Sequence, residues 1–397
     1  MGSLIEPLLP NFLYLFPAPC VLFGFGWFMV RENSFRSSYN LWLPFTWLLA
    51  IWLVIASFVS LDFQSSRQWS AAFIIGYLLV ASRAQSMSLR NVFVFERGLM
   101  ISGFLIGCLS ITEWVTSQNL VHNVIGSDNG LGAQRWSIFR SYATFSHPLV
   151  ASTFLASICA FCTVKLVTHS SPHSRWFVGV CAAVSGAGMV FTGSRSSAVA
   201  LGLGVLIALI GFAIRHGFSL AKSFLMIGAG ISVGIYLTFF SIFSERSRSV
   251  EGGVSADARN SILTVTTELL RTTQYLGSGP GTAQRAATRS GFRLFIESSL
   301  AQTFISIGLI GTFLLAVVVL YPVFAGWAAG NFAGVAAVVC FLGSSVAFTL
   351  WETNPSSFLF LGLLTVPCWF REPVTESGGR VRRTMKPDTR GKVRTSV

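Results

Sequence analysis

Long apolar segments dominate this sequence and restrict the folds that it can adopt. A helix that crosses a bilayer needs about 20 apolar residues, and eleven segments approach that length. They lie at residues 12–30, 41–60, 69–82, 92–113, 148–168, 177–192, 198–214, 223–243, 297–320, 331–350 and 358–370. Two of these segments are short, so we expect between about 10 and 12 spans. The sequence therefore predicts an all-α, polytopic membrane bundle of about 11 transmembrane helices.

Composition supports this fold class and separates a tail from the membrane domain. Of the 397 residues, 52% are hydrophobic and 11% are charged, whereas charged residues make up about 25% of soluble domains. Much of the net charge of +13 lies in the basic tail at residues 371–397. Such a segment favours the cytoplasmic side and membrane lipids over nucleic acid. We expect a membrane domain at residues 1–370, followed by a disordered cytoplasmic tail.

The basic tail also orients the rest of the chain. With the tail inside, the other short basic loops fall in the cytoplasm, as the positive-inside rule requires. Two long polar loops, at residues 114–147 and 244–296, then fall on the outer side of the membrane. The outer face is therefore where we expect the functional residues.

The second outer loop is rich in arginine and has no lysine. Cationic loops normally stay in the cytoplasm, so arginines on the outer side predict an anionic ligand. Planar guanidinium matches phosphate oxygens better than a point charge does. The arginines are Arg246, Arg248, Arg259, Arg271, Arg285, Arg289 and Arg293.

Two structural elements are expected inside this loop. Residues 255–275 read as a helix with one apolar stripe, which consists of Ile262, Val265 and Leu269. A glycine-rich turn follows at residues 277–281, where glycine permits positive φ. Turns of this kind can present N–H groups to an anion. We expect Gly279 and Gly281 to contact the ligand there.

After the turn, charged residues recur at every fourth position. Arg285, Arg289, Arg293 and Glu297 would stack along one face of a helix. One interpretation is a set of solvated charges at the membrane surface. The other is an arginine ladder that faces the ligand and leads to a carboxylate, and we favour this second interpretation. Glu297 itself could act as a general base or could simply favour a helix N-terminus.

Two further polar segments adjoin predicted spans on the outer side. In residues 192–197, Ser194 and Arg195 interrupt two apolar segments. An arginine so close to hydrocarbon snorkels, pairs or meets an anion, and we favour a phosphate contact for Arg195. In the other segment, Arg140 and His147 precede a span and are expected to face the same cavity. The alternative for His147 is a helix-entry residue.

Two other features concern charged side chains. Glu96 and Arg97 fall inside a predicted span, where they form an internal ion pair that faces the bundle or mark a later helix start, and we expect them to have a structural role. Carboxylates on the outer side are scattered rather than clustered for a metal. We therefore expect neither a metal nor another cofactor.

Four pieces of the sequence, taken in order, resemble motifs of the O-antigen ligase and polymerase superfamily of bacterial envelope glycan assembly. Residues 140–148 are similar to its Arg-x-x-Gly-x-Phe-x-x-Pro-Asn, and residues 192–195 to its Thr-Gly-Ser-Arg. Residues 276–281 are similar to its Leu-Gly-x-Gly-x-Gly. Residues 297–311 are similar to its His-Asn-x-Tyr-Leu-x-x-x-x-Glu-x-Gly-x-x-Gly.

The resemblance implies metal-independent, inverting glycosyl transfer at the outer face of the bacterial inner membrane. The donor would be an undecaprenyl-diphosphate-linked oligosaccharide, the acceptor a glycan or a lipid, and a chain-length regulator a further partner. By position, Arg195 and Arg259 would hold the diphosphate. Glu297 stands where the ligases have their histidine.

Departures from the motifs decide between members of the superfamily. Ala143 replaces a common glycine, Leu149 an asparagine, and Ser306 a glutamate. Glu297 replaces the ligase histidine, whereas polymerases vary at that position and can show a Glu-Ser pair. We therefore favour a polymerase of O-antigen or exopolysaccharide repeat units over a ligase. A lipid-linked glycan flippase is the alternative from another functional class.

Overall fold

The computed structural model describes residues 42–121, 139–168, 173–216, 250–292 and 295–370, without the side chains of residues 216 and 250–260. Several expectations fall outside these ranges. The predicted spans at residues 12–30 and 223–243 and the basic tail at residues 371–397 lie outside the described residues, and so does Arg293.

All regular structure in the described ranges is helical. The helices in chain order are α1 (Trp42–Phe58), α2 (Phe63–Phe73), α3 (Val80–Ala84), α4 (Leu89–Thr116), α5 (Pro148–Thr168), α6 (Arg175–Phe191), α7 (Arg195–His216), α8 (Val250–Thr272), α9 (Ala283–Arg289), α10 (Ser299–Ala329), α11 (Phe332–Val346), α12 (Leu350–Thr353) and α13 (Ser357–Thr365). A π-helical segment, Ile74–Leu79, joins α2 to α3, and a 3₁₀ turn, Val366–Trp369, follows α13.

Four of these helices are long and apolar enough to cross a membrane: α4, α5, α7 and α10. Four shorter apolar segments accompany them, namely α1, α6, α11 and the stretch formed by α13 with its 3₁₀ turn. The prediction of an all-helical membrane protein is thereby confirmed at this coarse level for the described part of the chain.

Helix α5 lies at the centre of the bundle and packs against α4, α6, α7 and α11. Apart from Lys165 near its C-terminal end, it is apolar or small on every side, which is the pattern of a fully enclosed helix. Small residues allow close approach between its neighbours. A Cβ atom at Gly107 of α4 would lie 2.7 Å from the carbonyl oxygen of Val184 in α6. A Cβ atom at Gly204 of α7 would lie 2.6 Å from the carbonyl oxygen of Ala336 in α11. This is the small-residue packing typical of membrane helices.

Hydrogen bonds show which helix ends are neighbours. The N–H of Ser141, just before α5, donates to the carbonyl oxygen of Phe191 at the end of α6 (3.2 Å). The N–H of Ser299, at the start of α10, donates to the carbonyl oxygen of Phe348, just after α11 (3.0 Å). We call this end of the bundle, where α5, α7 and α10 begin, the site end.

The opposite end of the bundle contains a buried ion pair. The Lys165 ammonium lies 3.0 Å from the Glu96 carboxylate, and both side chains are only 1% exposed. Arg97 is exposed, so the buried pair contains Glu96 but not Arg97. A later helix start is also wrong, because α4 begins at Leu89. Adjacent residues on a helix point in different directions, and α4 turns Glu96 toward α5 while Arg97 faces outward.

Helix α10 is interrupted at Gly308, which has φ of 70° and ψ of −173°. The part before Gly308 packs with α8 and α9 in a small apolar cluster separate from the main core. This cluster consists of Val265, Leu269, Ala283, Ala286, Ala287, Ile296, Ala301 and Ile305. The part after Gly308 runs to Ala329, beyond the predicted end at residue 320. It is about 31 Å long at 1.5 Å per residue, close to the thickness of the hydrocarbon core.

The elements of the arginine-rich loop differ partly from expectation. Helix α8 begins before residue 255, at Val250, and ends at Thr272. Its predicted apolar stripe is confirmed, because Val265 and Leu269 are buried and Ile262 packs on the same cluster. The prediction that Arg285, Arg289, Arg293 and Glu297 stack along one helix face is wrong. Helix α9 ends at Arg289, and Gly291 follows with φ of 84°, so Glu297 does not continue the face of α9.

The Gly308→Ala substitution should destabilise the protein. A Cβ atom there would collide with the carbonyl oxygen of Tyr275, and the backbone conformation is one that only glycine adopts readily. We expect the free energy of unfolding to fall by about 1–3 kcal/mol, which is measured as a lower thermal unfolding midpoint in detergent. Gly202→Ala in α7 is the control, since no atom lies within 4 Å of its Cβ position and alanine favours helix. An unchanged midpoint for Gly308→Ala would show that the interruption is dispensable.

Candidate functional site

The first group of polar residues at the site end surrounds Arg140. Its side chain is 4% exposed, and its Nε donates to the carbonyl oxygen of Thr192 at 2.7 Å. Thr192 lies at the C-terminal end of α6, where free carbonyls favour a cation. Together with the bond from Ser141 to Phe191, this contact joins two of the four motif segments.

Glu113, near the end of α4, holds the same segment from the other side. Its Oε2 accepts hydrogen bonds from the N–H groups of Tyr142 (3.1 Å) and Ala143 (2.8 Å). Ala143 has φ of 49°, a left-handed conformation that is costly for a residue with a Cβ atom. Sequence reasoning missed Glu113, because a carboxylate at the end of a predicted span resembles an ordinary boundary residue.

Arg195 is the first residue of α7 and is partly buried. The hydroxyl of Ser194 accepts from the Ser197 N–H at 3.4 Å and donates to the Ser197 hydroxyl at 3.1 Å. Ser194 is fully buried, so its hydroxyl caps α7 and faces no open surface. The structure therefore places Arg195, and not Ser194, where a ligand can reach it.

His147 stands at the entrance to α5. Its Nδ1 accepts from the N–H of Leu149 at 3.1 Å, and its carbonyl oxygen accepts from the N–H of Val150 at 3.1 Å. These are the bonds of a residue that begins a helix. These contacts agree with the alternative interpretation, in which His147 is a helix-entry residue.

The second group is built on the glycine turn after α8. The N–H groups of Ser278 and Gly279 donate to the carbonyl oxygens of Ile305 and Ser306, each at 2.8 Å. These two donors are therefore engaged by the interrupted helix α10 and are not open to an anion. Gly281 packs closely on Trp69, where a Cβ atom would lie 3.0 Å from the Trp69 Cβ.

The arginines near this turn differ in their surroundings. Arg285 forms an ion pair with Asp62, and its side chain is 58% exposed. Arg271 and Arg289 are exposed in the last turns of α8 and α9. Arg259 lies on α8, but its side chain is outside the described set. The structure thus gives Arg285 a defined partner and leaves Arg271 and Arg289 at the surface.

Glu297 is partly buried and lies just before α10. Its neighbour Ser299 is bonded to the chain around α12, because the Ser299 hydroxyl accepts from the N–H of Leu350 at 2.8 Å. The start of α10 and the short helix α12 are therefore adjacent. This contact brings Glu297 to the same part of the site end as Glu352, the carboxylate of α12.

Glu352 is the second carboxylate that sequence reasoning did not select. Its Oε1 accepts from the N–H of Gln284 at 3.2 Å, while its Oε2 is buried and has no hydrogen-bond partner among the described residues. Burial raises the pKa of Glu352 to about 7, although the N–H groups of Gln284 and Ala283 and the charge of Arg285 act in the opposite direction. Its position between two predicted spans on the outer side was the available signal.

A hydrogen bond connects the two groups of residues. The Ser146 hydroxyl, in the segment after Arg140, donates to Asn354 Oδ1 at 3.1 Å. Asn354 follows α12 directly. The site end thus holds the partly buried guanidinium of Arg195 and the carboxylate of Glu352, while the Nε of Arg140 is engaged by the Thr192 carbonyl oxygen.

Such a site can bind an anion and accept a proton. Within the described ranges, no cluster of three or more histidine, cysteine or acidic side chains is arranged to hold a metal. No protein-family model matches the chain, and no curated protein matches it. The functional assignment therefore depends on the residues and contacts described above.

The Glu113→Ala substitution should destabilise the segment that carries Arg140. It leaves two buried N–H groups, those of Tyr142 and Ala143, without their acceptor, and each unsatisfied group costs about 1–3 kcal/mol. We expect a lower thermal unfolding midpoint in detergent. The midpoint should fall less in Glu113→Gln, which keeps a carbonyl oxygen. It should fall least in Thr112→Ala, on the exposed side of α4. Equal midpoints for all three variants would contradict this role of Glu113.

Proposed function

We propose that this chain is a membrane glycosyltransferase. It polymerises undecaprenyl-diphosphate-linked repeat units of O-antigen or exopolysaccharide at the outer face of the bacterial inner membrane. In this proposal the chain has about 11 transmembrane helices, the site end faces outward, and the end with Glu96 and Lys165 faces the cytoplasm.

The observation that supports the proposal most is the backbone conformation at the motif positions. Glycine is the residue best suited to positive φ. Glycines in three of the four motif segments have positive φ, and Ala143, with φ of 49°, stands where the superfamily often has glycine. The glycines are Gly193, Gly277, Gly279, Gly281 and Gly308, with φ between 66° and 112°. The resemblance therefore coincides with local backbone requirements.

In this proposal the reaction is the inverting transfer that the resemblance implies. The acceptor hydroxyl attacks the anomeric carbon on the side opposite the diphosphate, so that configuration inverts and undecaprenyl diphosphate leaves. Arg195 and Arg259 stabilise the negative charge that develops on the leaving group. A carboxylate accepts the hydroxyl proton, and Glu297 is the sequence-based prediction for it.

The positions of the buried charges favour an enzyme over a flippase. A transporter is expected to carry charges or interrupted helices near the bilayer midplane. Glu96 and Glu113 are separated by about 26 Å along α4, which places them toward opposite edges of a hydrocarbon core of about 30 Å. The interruption at Gly308 lies where the small apolar cluster of α8, α9 and the first part of α10 meets the bundle.

A product assay tests the proposal directly. Purified protein is incubated with a lipid-diphosphate-linked repeat unit, and the products are separated by length. A ladder of lipid-linked products is expected. A single transfer to a supplied lipid acceptor would instead assign a ligase. Movement of the lipid-linked glycan across liposomes without any new glycosidic bond would assign a transporter.

Arg195→Lys should abolish most of the polymerase activity. The substitution keeps the positive charge but replaces a fork that binds two phosphate oxygens with a point charge. We expect initial rates to fall by about 10²-fold, the usual effect of losing one preorganised donor. Arg175→Lys, an exposed residue at the other end of the bundle, is the matched control and should retain its rate. Wild-type turnover by Arg195→Lys would remove Arg195 from the site.

A further inference from the structure

We infer that Glu352 is the catalytic residue that accepts the proton of the acceptor hydroxyl. The inference rests on the proposed function and assigns one of its steps to a residue outside the four motif segments. It follows from the hydrogen bonds of the Glu352 carboxylate, the anchoring of α12 and the convergence of the two residue groups on that helix.

The two carboxylate oxygens have different surroundings. Oε1 is held by the N–H of Gln284 at 3.2 Å. Oε2 is buried and has no hydrogen-bond partner among the described residues. A buried polar atom without a partner is costly and calls for an explanation. Unlike Ser194, Glu352 as a whole is partly exposed, so a rotation of its carboxylate brings Oε2 within reach of a sugar hydroxyl. That hydroxyl then supplies the missing bond and places its proton on the atom that would receive it.

The backbone before Glu352 is anchored to the start of α10. The Ser299 hydroxyl accepts from the N–H groups of Leu350 at 2.8 Å and Trp351 at 3.3 Å. Within α12, the N–H of Asn354 donates to the carbonyl oxygen of Leu350 at 2.9 Å. This anchoring restricts the movement of the proton acceptor, as catalysis by a positioned group requires.

Residues from both groups converge on α12. Gln284, at the start of α9, contacts Glu352 with its N–H and accepts from the Ile296 N–H with its side-chain oxygen at 3.1 Å. On the other side, Ser146 contacts Asn354. Glu352 thus lies between the glycine-turn group and the segment that carries Arg140, where donor and acceptor would meet.

The acidity of Glu352 is consistent with this role. Burial raises its pKa to about 7, and a general base works best when its pKa is near the operating pH. The carboxylate must be ionised to accept a proton. The rate should therefore rise with pH as Glu352 loses its proton, and should level off above that pKa.

The acceptor O–H bond breaks and its proton moves to Oε2 of Glu352, while the oxygen forms the new bond to the anomeric carbon. The bond from that carbon to the diphosphate oxygen breaks, and undecaprenyl diphosphate leaves with the electron pair. Glu352 then releases its proton to water.

The test compares Glu352→Gln with wild type, using the full chain, the lipid-linked repeat unit, and initial rates between about pH 5 and pH 9. Glu352→Gln should lower the rate above neutral pH by about 10²-fold or more and abolish the rise with pH. Binding of the lipid-linked donor should stay within about twofold of wild type, because the loss concerns the transition state. Glu268→Gln, an exposed carboxylate on α8, should keep both the rate and the rise.

Two further variants keep the test decisive. Glu352→Asp retains an ionisable group in a shorter side chain, so it covers the case in which Glu352→Gln does not fold. Its rate should fall and its pH midpoint should shift. Glu297→Gln should retain the rise with pH through about 7.

Several outcomes would overturn the inference. A wild-type rate and pH profile in Glu352→Gln or Glu352→Asp would exclude Glu352. Loss of the pH rise in Glu297→Gln alone would assign the proton to Glu297. If wild-type protein forms no glycosidic bond at any pH, the proposed function fails and the role of Glu352 fails with it. In the other two cases wild-type product formation shows that only the inference has failed.

Discussion

The interruption of α10 at Gly308 is the constraint on which the arrangement of the site end depends. Backbone N–H and C=O groups in a bilayer need partners within the protein, and an interrupted helix frees several of them. The carbonyl oxygen of Ile305 accepts from Ser278, and that of Ile307 accepts from the Trp52 indole at 3.0 Å. The N–H of Leu309 donates to the carbonyl oxygen of Tyr275 at 3.0 Å. The segment at the glycine turn therefore supplies hydrogen-bond partners to the interrupted part of α10. These bonds also fix the positions of α8 and α9, the helices on either side of the turn.

The same requirement explains why charged side chains hold the segment before α5. Arg140 donates a hydrogen bond to a carbonyl oxygen at the end of α6, and Glu113 accepts hydrogen bonds from the N–H groups of Tyr142 and Ala143. Hydrogen bonds to ionised groups are stronger than those between neutral groups. Charges that look like ligand contacts in the sequence can therefore serve the backbone. The motif residues combine a structural task with any functional one.

Local sequence patterns predicted the helices well where apolar length or periodicity carried the signal. The all-helical class and the apolar stripe with Val265 and Leu269 are examples. The partners of polar groups could not be predicted, because they lie far apart in the sequence. Glu96 pairs with Lys165 instead of its neighbour. Glu352 gains its surroundings from Gln284, which no local pattern connects to it.

The arginine-rich loop was the clearest sign of an anion site in the sequence, and the structure divides its charges by environment. Arg285 is paired with Asp62, so part of its charge is already compensated, whereas Arg271 and Arg289 are exposed. Arg195 lies outside this loop, at the start of α7. A bound diphosphate would add negative charge near Glu352 and raise its pKa further, since like charges disfavour ionisation. A guanidinium on the diphosphate opposes that effect. In the proposed enzyme, Arg195 would thus stabilise the leaving group, while Arg285, whose charge lowers the pKa of Glu352, would help to keep the proton acceptor ionised.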